Sequence, residues 1–563
     1  MREKTVHAFI LIILFLFGIY LSILYYGYHE VPNPDFTSFF ETGRQLLSLH
    51  LPDSYKRAPI LGILQVLLSS IIDSRYPDLT AGWVLNSCLL PLNLILFWLV
   101  GRKIIGRTAL WISLISIINP WTVEMAMQPI AETLLLFCIL LTFYAIFNRS
   151  RWAYLFASVT TMVRYEGALL ILIVFALDML EQKKEDNWSK PFLYAVLSSV
   201  PFGLWILVTL LNWQTQGNTY YLKEMGATSE GKILWFEYIK LIWQMGVRHL
   251  FETNVFASEI LSHMASRFIK VMTLLSFIFG VGYGLFKRNW KILALIIFLV
   301  GYLFIHAVHA VLLYRYCVPV YWIVLLICAY GIINGWEWIN RVKIITEKAI
   351  WVLQVLSLIL ITVWLFLLVL HIPKIAFISP QSISVPYVFA CTATFMFFAQ
   401  TLQYGNKLLL KNITITLLII LIGFSNQFQL VKTVNDGKED LEFKLLSEWY
   451  TENAKSGETM LSTMSNVIKI FAPGSKDVFK HISTIPAKDP DAFIEACYSK
   501  GIDYVVWDSR LCSKPDSRYG TLWKVENIET LKKPHNSGPF IFVKQIQVGK
   551  NRVVNIFQLK KRA

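Results

Sequence analysis

Long apolar runs without charge recur along this chain from its N-terminus to about Gln429. Runs of about 20 residues have the length that an α-helix needs to cross a hydrocarbon layer of ~30 Å. Of the 563 residues, 55% are hydrophobic and 16% are charged, whereas a soluble domain has roughly 25% charged residues. The sequence therefore excludes the secreted, cytosolic and nuclear classes of protein and predicts a membrane protein.

The runs predict a polytopic α-helical membrane protein with about thirteen transmembrane helices. The predicted spans cover residues 8–28, 81–100, 108–123, 131–147, 152–166, 168–180, 192–211, 268–286, 292–312, 317–334, 350–370, 387–403 and 413–429.

The net charge of +15 is concentrated in alternate connections between these spans, such as those that contain Arg102, Arg149 and Lys287. Connections rich in Lys and Arg stay in the cytoplasm. The N-terminus is therefore expected inside and the C-terminal part outside, in a bacterial or archaeal plasma (inner) membrane. The basic charge is then a topology signal, and no nucleic-acid partner is expected.

The chain is expected to form two domains: a transmembrane domain over residues 1–430 and a soluble extracytoplasmic α/β domain over residues 431–563. The first has long outer loops at residues 29–80 and 212–265, and apolar spacing predicts an interfacial helix over residues 36–47. The second has helical spacing over residues 439–453 and 492–500, and strand patterns over residues 503–507, 539–543 and 553–559. Cys497 and Cys512 lie in the outer domain, where either a disulfide or two free thiols would fit.

Ionisable residues beside the membrane are the most informative ones, because burying a charge costs several kcal/mol unless it is paired or faces water. Many of them fall on the predicted outer side, in separated segments. They include Asp35, Lys56, Arg57, Glu124, Glu132, Arg164, Glu166, His306, His309 and Arg315. This pattern predicts one polar cavity that opens outward.

The segments that carry these residues resemble the GT-C superfamily of integral-membrane glycosyltransferases. The similar segments are Pro34-Asp-Phe36, Tyr55-Lys-Arg-Ala-Pro59, Pro129-Ile-Ala-Glu132, Arg164-Tyr-Glu-Gly167 and Tyr314-Arg-Tyr-Cys-Val-Pro319. Their order and the layout of the whole chain are similar to the group of protein O-mannosyltransferases and lipid A aminoarabinose transferases.

The resemblance implies transfer of a sugar from a polyprenyl-phosphate carrier, with a chemical role for each position. Asp35 matches the first-loop acid of the family and would take the proton of the acceptor hydroxyl as catalytic base. Lys56, Arg57, Arg164 and Arg315 would bind the donor phosphate. Glu132, Glu166, Glu124, Tyr316 and His309 would bind the sugar or support the site. No cofactor and no metal ligand is expected, although the sequence leaves a divalent metal open.

Structural roles compete with these assignments. Asp35 would also suit the start of a helix, and Arg164 and Glu166 would also suit an ion pair that closes a span. Glu132 near the start of a span would favour the positive end of that helix, and Arg315 could reach lipid headgroups. His306 and His309 fit satisfied interface histidines.

Together these features predict an enzyme, a hexosyl- or pentosyltransferase that uses a polyprenyl-phosphate sugar donor. It would glycosylate a lipid, glycan or protein acceptor on the outer face of the membrane, with inversion at the anomeric carbon. A transporter or flippase of lipid-linked saccharides is the alternative, but no internal repeat typical of transporters is visible. A scaffold subunit with a degenerate site is a third class.

Overall fold

The computed structural model describes ten stretches of the chain together with short helical fragments between residues 352 and 422. The ten stretches are residues 2–52, 57–182, 188–216, 235–247, 259–308, 312–342, 440–472, 477–485, 487–513 and 524–561.

The first part of the chain is helical, as expected for long runs of apolar residues. The described helices are α1 (Arg2–Leu24), α2 (Asp35–Leu47), α3 (Pro59–Ser69), α4 (Pro77–Ile105), α5 (Ala109–Ile117), α6 (Pro120–Met127), α7 (Ala131–Phe147), α8 (Trp152–Val163), α9 (Ala168–Gln182), α10 (Ser189–Gln216), α11 (Trp235–Val247), α12 (Glu259–Phe286), α13 (Trp290–Ala307) and α14 (Tyr321–Val342).

Among the described residues, four helical segments are long and apolar enough to cross a membrane: Thr5–Leu24, Pro77–Ile117, Ser189–Leu211 and Trp290–Ala307. The bent pair α6 and α7 passes the same test as one broken span. The helical class is confirmed, while the total of thirteen spans stays a prediction. The interfacial position of α2 also stays a prediction, although its helix is confirmed.

The predicted span over residues 108–123 is wrong as a single helix. Helix α5 ends at Ile117 and α6 begins at Pro120. The Asn119 side chain accepts a hydrogen bond from the backbone N–H of Trp121 at 3.1 Å, and Pro120 occupies the first helical position. Both features are typical of a helix start, so the apolar run contains a boundary.

A second break separates α6 from α7, and the axes of these two helices differ by 116°. A break inside an apolar region leaves backbone carbonyls without helical partners. Buried side-chain amides donate to these carbonyls: Gln65 Nε2 to Pro129 O at 2.9 Å, and Asn86 Nδ2 to Gln128 O. By donating to these carbonyls, the two amides stabilise the break.

Contacts divide the chain into two compact units. The first comprises Met1–Tyr26, Thr42–Gln65 and Gly82–Asn435, and the second comprises Gly27–Glu41, Val66–Ala81 and Asp436–Ala563. Parts of the predicted first outer loop thus group with the C-terminal residues. Within this second unit, Lys444 Nζ lies 2.6 Å from Glu30 Oε2, and the rings of Tyr76 and Phe471 are 5.2 Å apart. The domain boundary predicted at residues 430 and 431 stays a prediction.

The C-terminal residues form an α/β fold around one five-stranded sheet, ordered β2-β1-β3-β5-β4. Strand β1 is parallel to β2 and β3, while β5 is antiparallel to β3 and β4. The elements are α15 (Leu441–Asn453), β1 (Met460–Ser462), α16 (Ser465–Phe471), β2 (Phe479–His481), α17 (Pro490–Ser499), β3 (Tyr504–Asp508), β4 (Phe540–Val548) and β5 (Arg552–Leu559). The predicted helices and strands of this part are confirmed.

The core of the sheet is apolar and includes both cysteines of this part. Phe493, Val505 and Phe557 are almost completely buried in it. Cys497 and Cys512 are buried in the same core as free thiols. Cys497 packs as a small apolar side chain, whereas the Cys512 thiol also donates to Asp508 Oδ2 at 3.6 Å.

Candidate functional site

A buried ion-pair network lies where α7, α8, α9 and α13 end or begin. At its centre is Arg164, the residue that follows α8 in extended conformation before the 3₁₀ turn Tyr165–Gly167. Its Nε and Nη2 donate to the two carboxylate oxygens of Glu166 at 3.3 and 2.9 Å. Its Nη1 donates to Glu132 Oε1 at 3.0 Å. Arg164 therefore ties its own turn to a residue 32 positions earlier.

Glu132 also lies close to a second arginine. It stands in the first turn of α7, where the helix dipole favours a carboxylate, and is 2% exposed. Arg315 Nε lies 3.7 Å from Glu132 Oε1. One carboxylate thus brings together two guanidinium groups from distant segments, which would otherwise repel each other.

Aromatic rings pack against these charges. The ring of Tyr316 lies 4.8 Å from Arg164 Cζ and 5.3 Å from Arg315 Cζ, within cation–π distance of both. The imidazole of His306 stacks on Tyr316 at 4.4 Å, and its Nε2 is 3.2 Å from Glu166 Oε1. The rings shield the ion pairs from solvent, which strengthens them.

Glu124 contacts a tyrosine that packs against a tryptophan. The Tyr314 hydroxyl donates to Glu124 Oε1, and the Trp121 ring lies 4.2 Å from the Tyr314 ring. Arg57 is within electrostatic range of Tyr165, the residue next to Arg164. Tyr165 also accepts a hydrogen bond from Trp205 Nε1 at 2.9 Å.

The structure therefore brings several predicted site residues into one network. Glu132, Arg164, Glu166, Arg315 and Tyr316 are linked through the contacts of the two arginines. Asp35 is the first residue of α2 and belongs to the second unit. Its backbone N–H donates to Asn33 Oδ1 at 3.0 Å, so Asn33 caps the start of α2, the structural role that competed with catalysis for Asp35. Lys56 and His309 lie outside the described residues.

Sequence reasoning undervalued His306, which it treated as a satisfied interface histidine. Its contact with Glu166 makes it part of the network, and a histidine at the end of an otherwise apolar helix was the available signal. Gln65 and Asn86, which support the break before Glu132, were not singled out. Their signal was an amide in the middle of an apolar run.

The network has the composition of a site that binds an anion. Its guanidinium groups carry the positive charge, and its carboxylates balance part of it. Arg164 uses three of the five N–H donors that a guanidinium has on Glu132 and Glu166. Its remaining donors can meet a phosphate, and Arg315 adds a second positive charge beside Glu132, while the carboxylates can accept hydrogen bonds from hydroxyl groups. Within the described part of the chain, no three His, Cys, Asp or Glu side chains are grouped as ligands for a metal.

No protein-family model matches the chain, and no curated protein matches it by sequence. Solved structures do share its fold, and they are GT-C membrane enzymes. ArnT from Cupriavidus metallidurans in the apo state aligns with a TM-score of 0.52 and 12% identity, over 96% of this chain and 97% of that one. The same enzyme bound to undecaprenyl phosphate aligns with a TM-score of 0.50 and 11% identity, over the same shares.

The archaeal oligosaccharyltransferase AglB from Archaeoglobus fulgidus has the same fold. In complex with an inhibitory peptide and a dolichol-phosphate, it aligns with a TM-score of 0.51 and 11% identity, over 96% of this chain and 73% of that one. The chain therefore shares its fold with two enzymes of the superfamily that its sequence motifs resemble.

Proposed function

We propose that this protein is a membrane glycosyltransferase. It transfers a sugar from a polyprenyl-phosphate-linked donor to an acceptor hydroxyl of a lipid, glycan or protein on the outer face of the membrane. Two structures with this fold hold a polyprenyl phosphate: ArnT with undecaprenyl phosphate and AglB with dolichol-phosphate. These ligands support the same class of donor here.

The observation that carries the proposal is the arginine pair on Glu132. When the glycosidic bond to the carrier breaks, a lipid phosphate leaves with increasing negative charge, and fixed cations lower the energy of that transition state. Arg164 and Arg315 are 13% and 14% exposed, so their charges act where water screens little. Lys56 and Arg57 are assigned to the same phosphate by sequence.

The remaining residues complete the assignment. Glu132 and Glu166 hold the arginines and, together with Glu124, accept hydrogen bonds from sugar hydroxyls, with Tyr316 and His309 in support. Asp35 is the catalytic base, an assignment that rests on its match to the first-loop acid of the family. A single base with direct displacement inverts the anomeric carbon.

The test uses purified full-length protein in liposomes with a panel of undecaprenyl-phosphate-linked sugars and membrane extract as the acceptor source. Mass spectrometry would follow two products, free undecaprenyl phosphate and a new glycosidic bond. We expect both products to form together with one or a few donors. Donor movement across sealed vesicles without a new bond would instead support the transporter, and the absence of both would support a scaffold.

A further inference from the structure

A cavity lies in the first unit, away from the ion-pair network. Its volume is about 240 Å³, and it is formed by the ends of α7 and α9, the start of α8 and the start of α13. Apolar residues form much of its wall, among them Ile146, Val174, Leu177 and Leu180. Arg149, Ser150, Asp178 and Trp290 contribute its polar lining.

The course of the helices places this cavity at the other end of the helices that carry the network. Glu132 is in the first turn of α7, and Ile146 is in its last turn. At a rise of 1.5 Å per residue, these positions are about 21 Å apart. Likewise, α13 begins at Trp290 beside the cavity and reaches His306 of the network in its last turn. If the network faces outward, the cavity lies on the side predicted to be cytoplasmic.

Positive charge surrounds this cavity. Arg149 lines it, and the charges of Arg149 and Lys103 both act on Lys291. Lys291 Nζ donates to the carbonyl of Lys103 at 2.9 Å and lies 5.8 Å from the Trp290 ring centroid. Arg149, Lys103 and Lys291 thus form a cluster of basic residues beside the cavity, and Asp178 is the acidic residue of its lining.

We propose that this cavity binds the headgroup of an anionic glycerophospholipid. Arg149 and Ser150 are suited to the phosphate, since a guanidinium and a hydroxyl both donate hydrogen bonds to phosphate oxygens. Leu177 and Leu180 provide an apolar surface for the acyl chains, and Leu180 is 67% exposed. Basic pockets between membrane helices on the cytoplasmic side commonly hold such headgroups. The site is separate from the one proposed for sugar transfer.

The test measures lipid binding to the purified full-length protein in detergent. Native mass spectrometry would count bound dioleoylphosphatidylglycerol and, in parallel, zwitterionic dioleoylphosphatidylcholine. The test variant is Arg149→Asn, because Arg149 has φ +55°, a left-handed conformation that Asn tolerates. The matched control is Lys190→Gln, which removes an exposed cation near the start of α10, outside the cavity lining.

We expect the wild type and the control to retain phosphatidylglycerol in preference to phosphatidylcholine. Arg149→Asn should weaken phosphatidylglycerol binding about fivefold. If Arg149→Asn lowers the yield of folded protein, Leu177→Trp provides a second test, because it fills the cavity without changing its charge and should also expel the lipid. Unchanged retention in both variants would overturn the proposal.

A further arm separates a lipid headgroup from free phosphate. Inorganic phosphate would be titrated against the wild type while its unfolding temperature is followed. We expect no rise, whereas phosphatidylglycerol should raise that temperature in a manner that depends on Arg149. An equal rise with phosphate alone would contradict the lipid assignment.

Discussion

Arg164 holds Glu166 through two parallel hydrogen bonds, at 3.3 and 2.9 Å, across a turn of only two residues. This fork aligns the guanidinium so that its remaining nitrogen reaches Glu132 at the start of α7. The pair therefore joins the ends of α7 and α8 and fixes the position of the charges.

Replacing Arg164 with Lys keeps the charge but removes the planar fork. Because a lysine ammonium cannot bind Glu166 and Glu132 in this geometry, we expect sugar transfer to fall by about 10²–10³-fold, the effect of losing one transition-state donor. The measurement is the rate of glycosidic bond formation with the donor that the panel identifies. The control is Arg151→Lys, at the other end of α8, where Nη1 donates to the Tyr194 hydroxyl in an exposed position. Full activity of Arg164→Lys would leave only a structural role for the pair.

Replacing Asp35 with Asn tests the catalytic base. Asn has nearly the same shape but cannot take a proton, so transfer should fall by about 10²–10⁴-fold. As a purely structural residue, Asp35 would supply a favourable charge at the start of α2, worth about 0.3–1 kcal/mol of stability. Comparing turnover with the unfolding temperature separates the two roles. Glu41→Gln in the same helix is the control and should keep its activity, and a similar rate for the two variants would remove Asp35 from the mechanism.

Much of this architecture could be predicted because membrane helices follow local composition. The predicted span over residues 131–147 coincides with α7, since Pro129 precedes a long apolar run in which Glu132 is the one charged residue, and the connection to α8 follows it. The break between α5 and α6 was missed, although Asn119-Pro120 is a helix-start signal, because apolar residues continue on both sides of it.

The partners within the network were harder to predict. The sequence pattern predicted that Glu132, Arg164 and Arg315 lie on one side of the membrane, but it gave no distances between their side chains. Whether Arg164 contacts the glutamate two residues later or the one 32 residues earlier depends on how α7 packs against α8, and the structure has both contacts. Long-range packing of this kind has no local sequence signal.

The break before α7 should be sensitive to the loss of its amide partner. Gln65→Leu keeps the approximate size of the side chain but leaves the Pro129 carbonyl without the Gln65 donor, in a site where Gln65 is fully buried. An unsatisfied buried group costs about 1–3 kcal/mol, so the unfolding temperature in detergent should fall. Asn148→Leu is the matched control. Asn148 follows the last residue of α7, and its Nδ2 donates to the Tyr144 carbonyl in an exposed position. Equal effects of the two substitutions would show that burial of the amide is unimportant.

Gly167 closes the turn that carries Arg164 and Glu166, and we expect it to tolerate no side chain. A Cβ atom at this position would lie 2.5 Å from the backbone carbon of Thr160 and 2.6 Å from the backbone nitrogen of Thr161. Because backbone atoms cannot move aside cheaply, Gly167→Ala should displace the turn from α8 and loosen the contact between Arg164 and Glu132. We expect a lower unfolding temperature together with reduced sugar transfer. Gly203→Ala is the control, since nothing lies within 4 Å of a Cβ there, and alanine in α10 should stabilise the helix by roughly 0.5–1 kcal/mol. A Gly167→Ala protein with normal stability and transfer would contradict the close packing of this turn against α8.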